Sequence, residues 1–141
     1  MSVDDEVFVD SGAWIALGVV RDGQHAVARA HLKRLLSGRC RLVTTNLVVA
    51  ESYALIRQRG GHPAAMTFLR SLRASPRLDH VTSDADIELA AEKLLRQFAD
   101  QDFSYVDAVS FVVMRRRRIE TAFAFDRHFR TAGFRLVADT V

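Results

Sequence analysis

The sequence predicts an α/β protein, a parallel sheet of four or five short strands with helices on both faces. Two observations carry this expectation. Short β-branched and aromatic segments alternate with longer helical ones, the pattern of strand–helix–strand units. The 141 residues contain no linker, repeat or low-complexity stretch, so residues 1–141 are expected to form a single domain.

Each element has its own signal. Glu6 to Val9 reads as a buried strand, and Ser11 to Val20 as an apolar helix beginning just after Asp10. Gln24 to Leu36 carries apolar Ala26, Val27, Ala30 and Leu35 with Lys33 and Arg34 outside, a surface helix stopped by Ser37-Gly38. Arg41 to Thr44 is a second strand, followed by a long helix from Asn46 to Arg59 that Gly60-Gly61 ends. Pro63 opens another helix running to about Arg73, and Leu78 to Val81 is a third strand. Ser83 begins a helix with Asp84, Asp86 and Glu88 in its first turns, where acids suit the positive end of the dipole. Ser104 to Arg117 is a helix, nearly all apolar as far as Met114. Ala122 to Phe125 and Phe134 to Val137 complete the strands.

Composition narrows the functional classes. Hydrophobic residues are 49% and charged residues 26%, ordinary for a globular protein. One cysteine, Cys40, excludes an internal disulfide and a cysteine-rich zinc site. No basic, apolar leader and no uncharged run of the ~18 residues needed to span a membrane is present, so a cytoplasmic location is expected. Net charge is +3 and several acids read as internal, which leaves a basic surface suited to a polyanionic partner.

Four carboxylates stand out. Asp10 is the lone charge between Val7 and Val20, Glu51 between Leu42 and Ile56, and Asp107 between Phe103 and Met114; Asp126 follows the apolar Ala122 to Phe125. Each segment reads as buried, and an isolated buried carboxylate costs several kcal/mol unless paired or metal-bound. Singly, each has a plainer explanation. Asp10 and Asp126 suit helix caps, Ser104 to Asp107 suits a capping box, and Glu51 suits a buried salt bridge. Together they suggest one acidic pocket, and ligands of parallel sheets bind beyond the carboxyl ends of the strands. Hard oxygen donors select Mg²⁺ or Mn²⁺ over zinc or copper. Ser11, Thr44 and Ser104 sit beside the acids and are expected to hold a metal-bound water or orient a carboxylate, although capping explains Thr44 and Ser104 equally. Asp102 reads as a solvated loop acid rather than a fifth, outer acid of the pocket, and His128, two residues after Asp126, as a surface residue rather than a neighbour of the site. Trp14 and the phenylalanines read as core. The run Arg115, Arg116, Arg117 and Arg118, with Arg57 and Arg59, reads either as phosphate-binding or as solvated helix ends.

The segments Phe8-Val9-Asp10-Ser11-Gly12-Ala13, Thr44-Thr45-Asn46 with Glu51, Tyr105-Val106-Asp107-Ala108 and Phe125-Asp126-Arg127-His128-Phe129 resemble a PIN domain. More narrowly, they resemble the VapC-type ribonuclease toxins of prokaryotic toxin–antitoxin pairs. The resemblance covers almost the whole chain. It implies a PIN-like sheet, an Mg²⁺- or Mn²⁺-dependent endoribonuclease leaving a 5′-phosphate and a 3′-hydroxyl, a homodimer, and a VapB-type antitoxin. It maps the four acids of the family onto Asp10, Glu51, Asp107 and Asp126. Gly12 departs from the Asp-Thr-Ser or Asp-Ser-Ser of many members, and Ala124-Phe125 from their threonine before the fourth acid. The stretch from Phe103 to Phe134 is similar to a subgroup associated with cleavage of the sarcin–ricin loop of large-subunit ribosomal RNA; tRNA is the other substrate the resemblance leaves open. The competing expectation is a catalytically weak RNA- or partner-binding module on the same fold, which would show salt-dependent RNA affinity without metal-dependent turnover.

Overall fold

The computed structural model describes residues 5–140. The chain runs β1 (Glu6–Val9), α1 (Ser11–Gly18), α2 (His25–Ser37), β2 (Arg41–Thr45), α3 (Asn46–Gly60), α4 (His62–Ala74) and β3 (Leu78–Val81). It continues through α5 (Ala85–Gln97), α6 (Tyr105–Arg117), β4 (Thr121–Phe123), α7 (His128–Thr131), β5 (Arg135–Leu136) and a 3₁₀ turn at Val137–Asp139. The five strands form one sheet in the order β3-β2-β1-β4-β5. Every neighbouring pair is parallel, so the carboxyl ends of all five strands share one edge.

β1 is the centre of this sheet, and Val7, Phe8 and Val9 are all fully buried. Successive strand residues face opposite sides, so burial of all three means that both faces are covered. The buried apolar residues form one contiguous cluster. The α6 helix lies deep in it: every residue from Asp107 to Met114 is buried. Phe111 of this helix packs edge-on against Phe129 at 5.0 Å and Phe103 at 5.1 Å. Trp14 is buried against Phe68, which confirms the aromatic residues as core.

Several boundaries differ from expectation. The fourth strand ends at Phe123, whose carbonyl accepts the Asp10 N–H as the last rung between β4 and β1. Ala124 and Phe125 lie past it, apolar because Ala124 is buried and Phe125 packs on the core. The fifth strand is only Arg135–Leu136. The α1 helix stops at Gly18, where the missing side chain lets it approach α3; a Cβ there would lie 2.9 Å from Ile56 Cδ1. Asp84, not Ser83, caps α5: its carboxylate accepts the Ile87 N–H at 2.9 Å.

The far edge of the sheet is tied by Arg117. Its guanidinium donates from Nη2 to Glu6 Oε2 and Asp79 Oδ2, both at 2.7 Å, and from Nε to Glu6 Oε1 at 3.2 Å. One side chain thereby joins the end of α6 to the starts of β1 and β3. No helix among the described residues is long and apolar enough to cross a membrane.

Candidate active site

The parallel sheet carries the acids to its carboxyl edge. Asp10 is the first residue past β1. The end of β2 turns directly into α3, with Thr45 capping it through a hydrogen bond accepted from the Val48 N–H at 3.1 Å, and α3 carries Glu51 in its second turn. Asp107 is the third residue of α6, and Asp126 lies three residues past β4.

Three of the four carboxylates act on the fourth, Asp10. It is 5% exposed, and its pKa is pushed from 3.8 to about 7. Burial is the main cause; the Ser11 backbone N–H opposes it, and the charges of Asp107, Glu51 and Asp126 add to it in that order. Three acids from three other segments lie near enough for their charges to act on Asp10, and Asp107 and Asp126 also bring carboxylate oxygens within 4.8 Å of each other; Asp10 and Glu51 stand outside that closest group. Asp10 occupies the N-cap position of α1, but its side chain makes no capping hydrogen bond there.

Asp107 is both a cap and a pocket acid. Ser104 Oγ accepts the Asp107 N–H, and Asp107 Oδ2 accepts the Ser104 N–H, each at 3.0 Å. Asp126 Oδ1 accepts the His128 N–H at 2.9 Å at the start of the short α7. The expectation that all four acids are buried is corrected. Asp10 and Asp107 are buried, whereas Glu51 is half-buried and the Asp126 side chain is 41% exposed. Glu51 lies on a helix whose neighbours, not itself, fill the core, and Asp126 sits in a turn beyond the sheet. Glu51 has no hydrogen bond or ion pair among the described residues, so no buried salt bridge explains it.

Two of the three supporting hydroxyls take other roles. Thr44 Oγ1 accepts the Trp14 indole N–H at 3.3 Å and donates to the Val9 carbonyl at 3.0 Å, so it braces β1 against β2 and α1 rather than facing the acids. Ser104 is consumed by the cap. Ser11 is buried at the start of α1, beside Asp10. Asp102 is exposed, as expected.

His128 is a correction of the opposite kind. It is not a bystander on the surface: Nδ1 lies 3.1 Å from Asp107 Oδ2 and 3.3 Å from Asp126 Oδ2. The signal for it was its position two residues after Asp126, within the turn that the acid caps. One ligand atom from each of Asp107, Asp126 and His128 lies within 4.8 Å of the others.

The arginines do not join the pocket. Arg117 pairs with Glu6 and Asp79, and Arg116 donates to Asp86 at 2.6 Å. Arg117 meets the amino end of β1, the opposite edge from Asp10, and lies about 15 Å along α6 from Asp107. Arg115 and Arg118 share that end. Arg59 lies 3.7 Å from Asp22 at the far end of α3, and Arg57 is exposed there too.

Clustered carboxylates, hard oxygen donors at the carboxyl edge of a parallel sheet, form a group that could hold a divalent cation. The PIN-domain family profile matches residues 7–135. The 23S rRNA-specific endonuclease VapC20 of Mycobacterium tuberculosis, in strains CDC 1551 / Oshkosh and ATCC 25618 / H37Rv, is 40% identical over 131 residues, covering 91% of this chain and 95% of the relative. The crystal structure of Mycobacterium tuberculosis VapC20, described as a sarcin–ricin-loop-cleaving toxin, superposes with a TM-score of 0.81 at 37% identity, covering 91% of this chain and 95% of that one. The chain belongs to the PIN-domain family, as a VapC-type member.

Proposed function

We propose that this protein is a single-domain, Mg²⁺-dependent endoribonuclease, with Mn²⁺ as the alternative ion, and the toxin of a VapBC-type pair. Its proposed target is the sarcin–ricin loop of large-subunit ribosomal RNA, and its proposed partner a VapB-type antitoxin; a homodimer is part of the same reading. The observation that carries the enzymatic reading is the close group of Asp107, Asp126 and His128 ligand atoms, with the buried Asp10 near enough to feel the charges of Asp107, Glu51 and Asp126. The relatives, a ribosomal RNA endonuclease of 40% identity and its solved structure, support the substrate.

Asp10, Glu51 and Asp107 would hold the ion, with Asp126 completing the set. When bound, a divalent cation supplies Lewis-acid charge at the scissile phosphate and a water acidic enough to attack near neutral pH. The chain's own contribution is arrangement. The sheet edge fixes Asp10, the capping box fixes Asp107, and α3 carries Glu51 to the same pocket. Burial of Asp10 disfavours its charge, so a cation bound there would take the place of its proton and its binding would be coupled to proton release.

The test is cleavage of RNA by the purified protein with Mg²⁺ or Mn²⁺, followed by mapping of the ends. Cuts confined to the sarcin–ricin loop, with 5′-phosphate and 3′-hydroxyl ends, are expected. Salt-sensitive RNA binding with no metal-dependent cutting would replace this reading with the binding-module one.

A further inference from the structure

We infer that His128 is a positioning residue of the acidic pocket, tying Asp126 to Asp107 so that the two carboxylates face one cation. This inference rests on the proposal that the pocket holds a metal ion. It starts from how loosely Asp126 is otherwise held. That residue lies beyond β4 in a turn, with a side chain 41% exposed. Its Oδ1 accepts the His128 backbone N–H at 2.9 Å, and its Oδ2 lies 3.3 Å from His128 Nδ1. One of its oxygens is hydrogen-bonded by His128 and the other lies within ion-pair range of the His128 ring.

The same Nδ1 lies 3.1 Å from Asp107 Oδ2. A carboxylate is acceptor-only when ionised, so the ring nitrogen carries the hydrogen and donates to Asp107, with Asp126 Oδ2 close beside it at 3.3 Å. That N–H sits between two like charges and offsets their repulsion. Asp107 Oδ2 then takes two donors, the Ser104 N–H and the imidazole, which leaves Oδ1 for an ion. The ring itself is held. Phe103 meets it edge-on at 5.4 Å and packs in turn on Phe111, and the next residue, Phe129, is fully buried. As the donor to Asp107, Nδ1 has no lone pair to offer a cation; on this reading Nε2 stays off the ion as well, so that His128 acts through the acids.

The experiment is Mn²⁺ binding by the full chain, followed by calorimetry and by electron paramagnetic resonance with nitrogen spin-echo detection. The proteins are the wild type, His128→Ala, His128→Gln, His128→Asn and, as a control, Asp10→Asn. Asparagine places its amide nitrogen where Nδ1 lies; glutamine, polar and flexible, does not. His128→Ala and His128→Gln are expected to weaken Mn²⁺ binding about tenfold or more, and His128→Asn by no more than about threefold, the scale on which partners of metal ligands act. The wild type is expected to show no imidazole nitrogen coupling. If alanine unfolds the protein, as circular dichroism would reveal, the glutamine and asparagine variants decide. Binding unchanged in His128→Gln, binding lost equally in His128→Asn, or imidazole coupling to Mn²⁺ would each overturn the inference. If Asp10→Asn loses Mn²⁺ while the His128 variants keep it, only this inference fails. If the wild type binds no Mn²⁺, or Asp10→Asn binds it as well, the cation site itself fails and takes this inference with it.

Discussion

Ser104 and Asp107 hold each other by two reciprocal 3.0 Å hydrogen bonds, and the Asp107 oxygen used in that cap is the one that faces His128. A helix terminus and an acidic pocket thus share a carboxylate. Replacing Ser104 by Ala leaves the Asp107 N–H without its cap acceptor and is expected to cost about 1 kcal/mol of stability. Urea unfolding of Ser104→Ala against Ser104→Thr measures this. An alanine variant as stable as the wild type would mean that the cap does not hold the start of α6.

Asp10 makes metal-free stability depend on pH. Its pKa is about 7 in the fold against an ordinary 3.8, so the folded state binds the proton more tightly than the unfolded chain. Below 3.8 both states hold the proton and no penalty exists. As pH rises towards about 7 the unfolded chain ionises first, and stability falls; above about 7 the penalty is complete, at most roughly 4 kcal/mol. Asp10→Asn removes it. In chelator, the variant is expected to be more stable than the wild type at about pH 8 and to lose that advantage near about pH 4. A variant less stable than the wild type at the higher pH would assign Asp10 to a structural hydrogen-bond network instead.

Two glycines of α1 are expected to respond in opposite ways. A Cβ at Gly12 would meet only the Phe125 backbone nitrogen, at 3.8 Å, so Gly12→Ser should fold with stability equal to or slightly above the wild type. A Cβ at Gly18 would press on the fully buried Ile56 at 2.9 Å, so Gly18→Ala should lose about 1 kcal/mol or more. Thermal unfolding of both variants reads this directly, and equal midpoints would show that α1 and α3 have room to separate.

Arg117 separates fold from activity. Its ion pairs with Glu6 and Asp79 are partly exposed, so Arg117→Gln is expected to cost only about 1 kcal/mol. Because these pairs sit at the edge of the sheet opposite Asp10, the specific rate of RNA cleavage should not change. A large drop in rate at unchanged stability would bring the arginine run back as an RNA contact.

The sequence carried the architecture and the acid set because both leave local marks. Buried parallel strands are short apolar runs, and a lone acid in such a run is conspicuous. What it did not carry depends on contacts distant in the chain. Ala124 and Phe125 are apolar because they pack on the core beyond the last β4 rung, and composition cannot tell burial from pairing. Glu51 stands in an apolar segment, but that segment buries its neighbours and leaves Glu51 half-buried. Thr44 reads as a polar residue near the acids, yet its hydroxyl is taken by Trp14 and Val9. His128 has no periodic signature, and its partner Asp107 is 21 residues away. Arginines 115 to 118 look like one basic patch until acids from two strands and a helix are seen to claim two of them.

Asp10, Glu51, Asp107 and Asp126 are proposed to form one metal-dependent ribonuclease site. Its most direct test is the rate of RNA cleavage by purified wild type and Asp10→Asn, each with Mn²⁺ and with chelator, at equal folded concentration. The expected result is cleavage by the wild type only when metal is present, and a loss on the order of a thousandfold or more in Asp10→Asn. Cleavage that persists in chelator, or an Asp10→Asn variant that cuts at the wild-type rate, would contradict it.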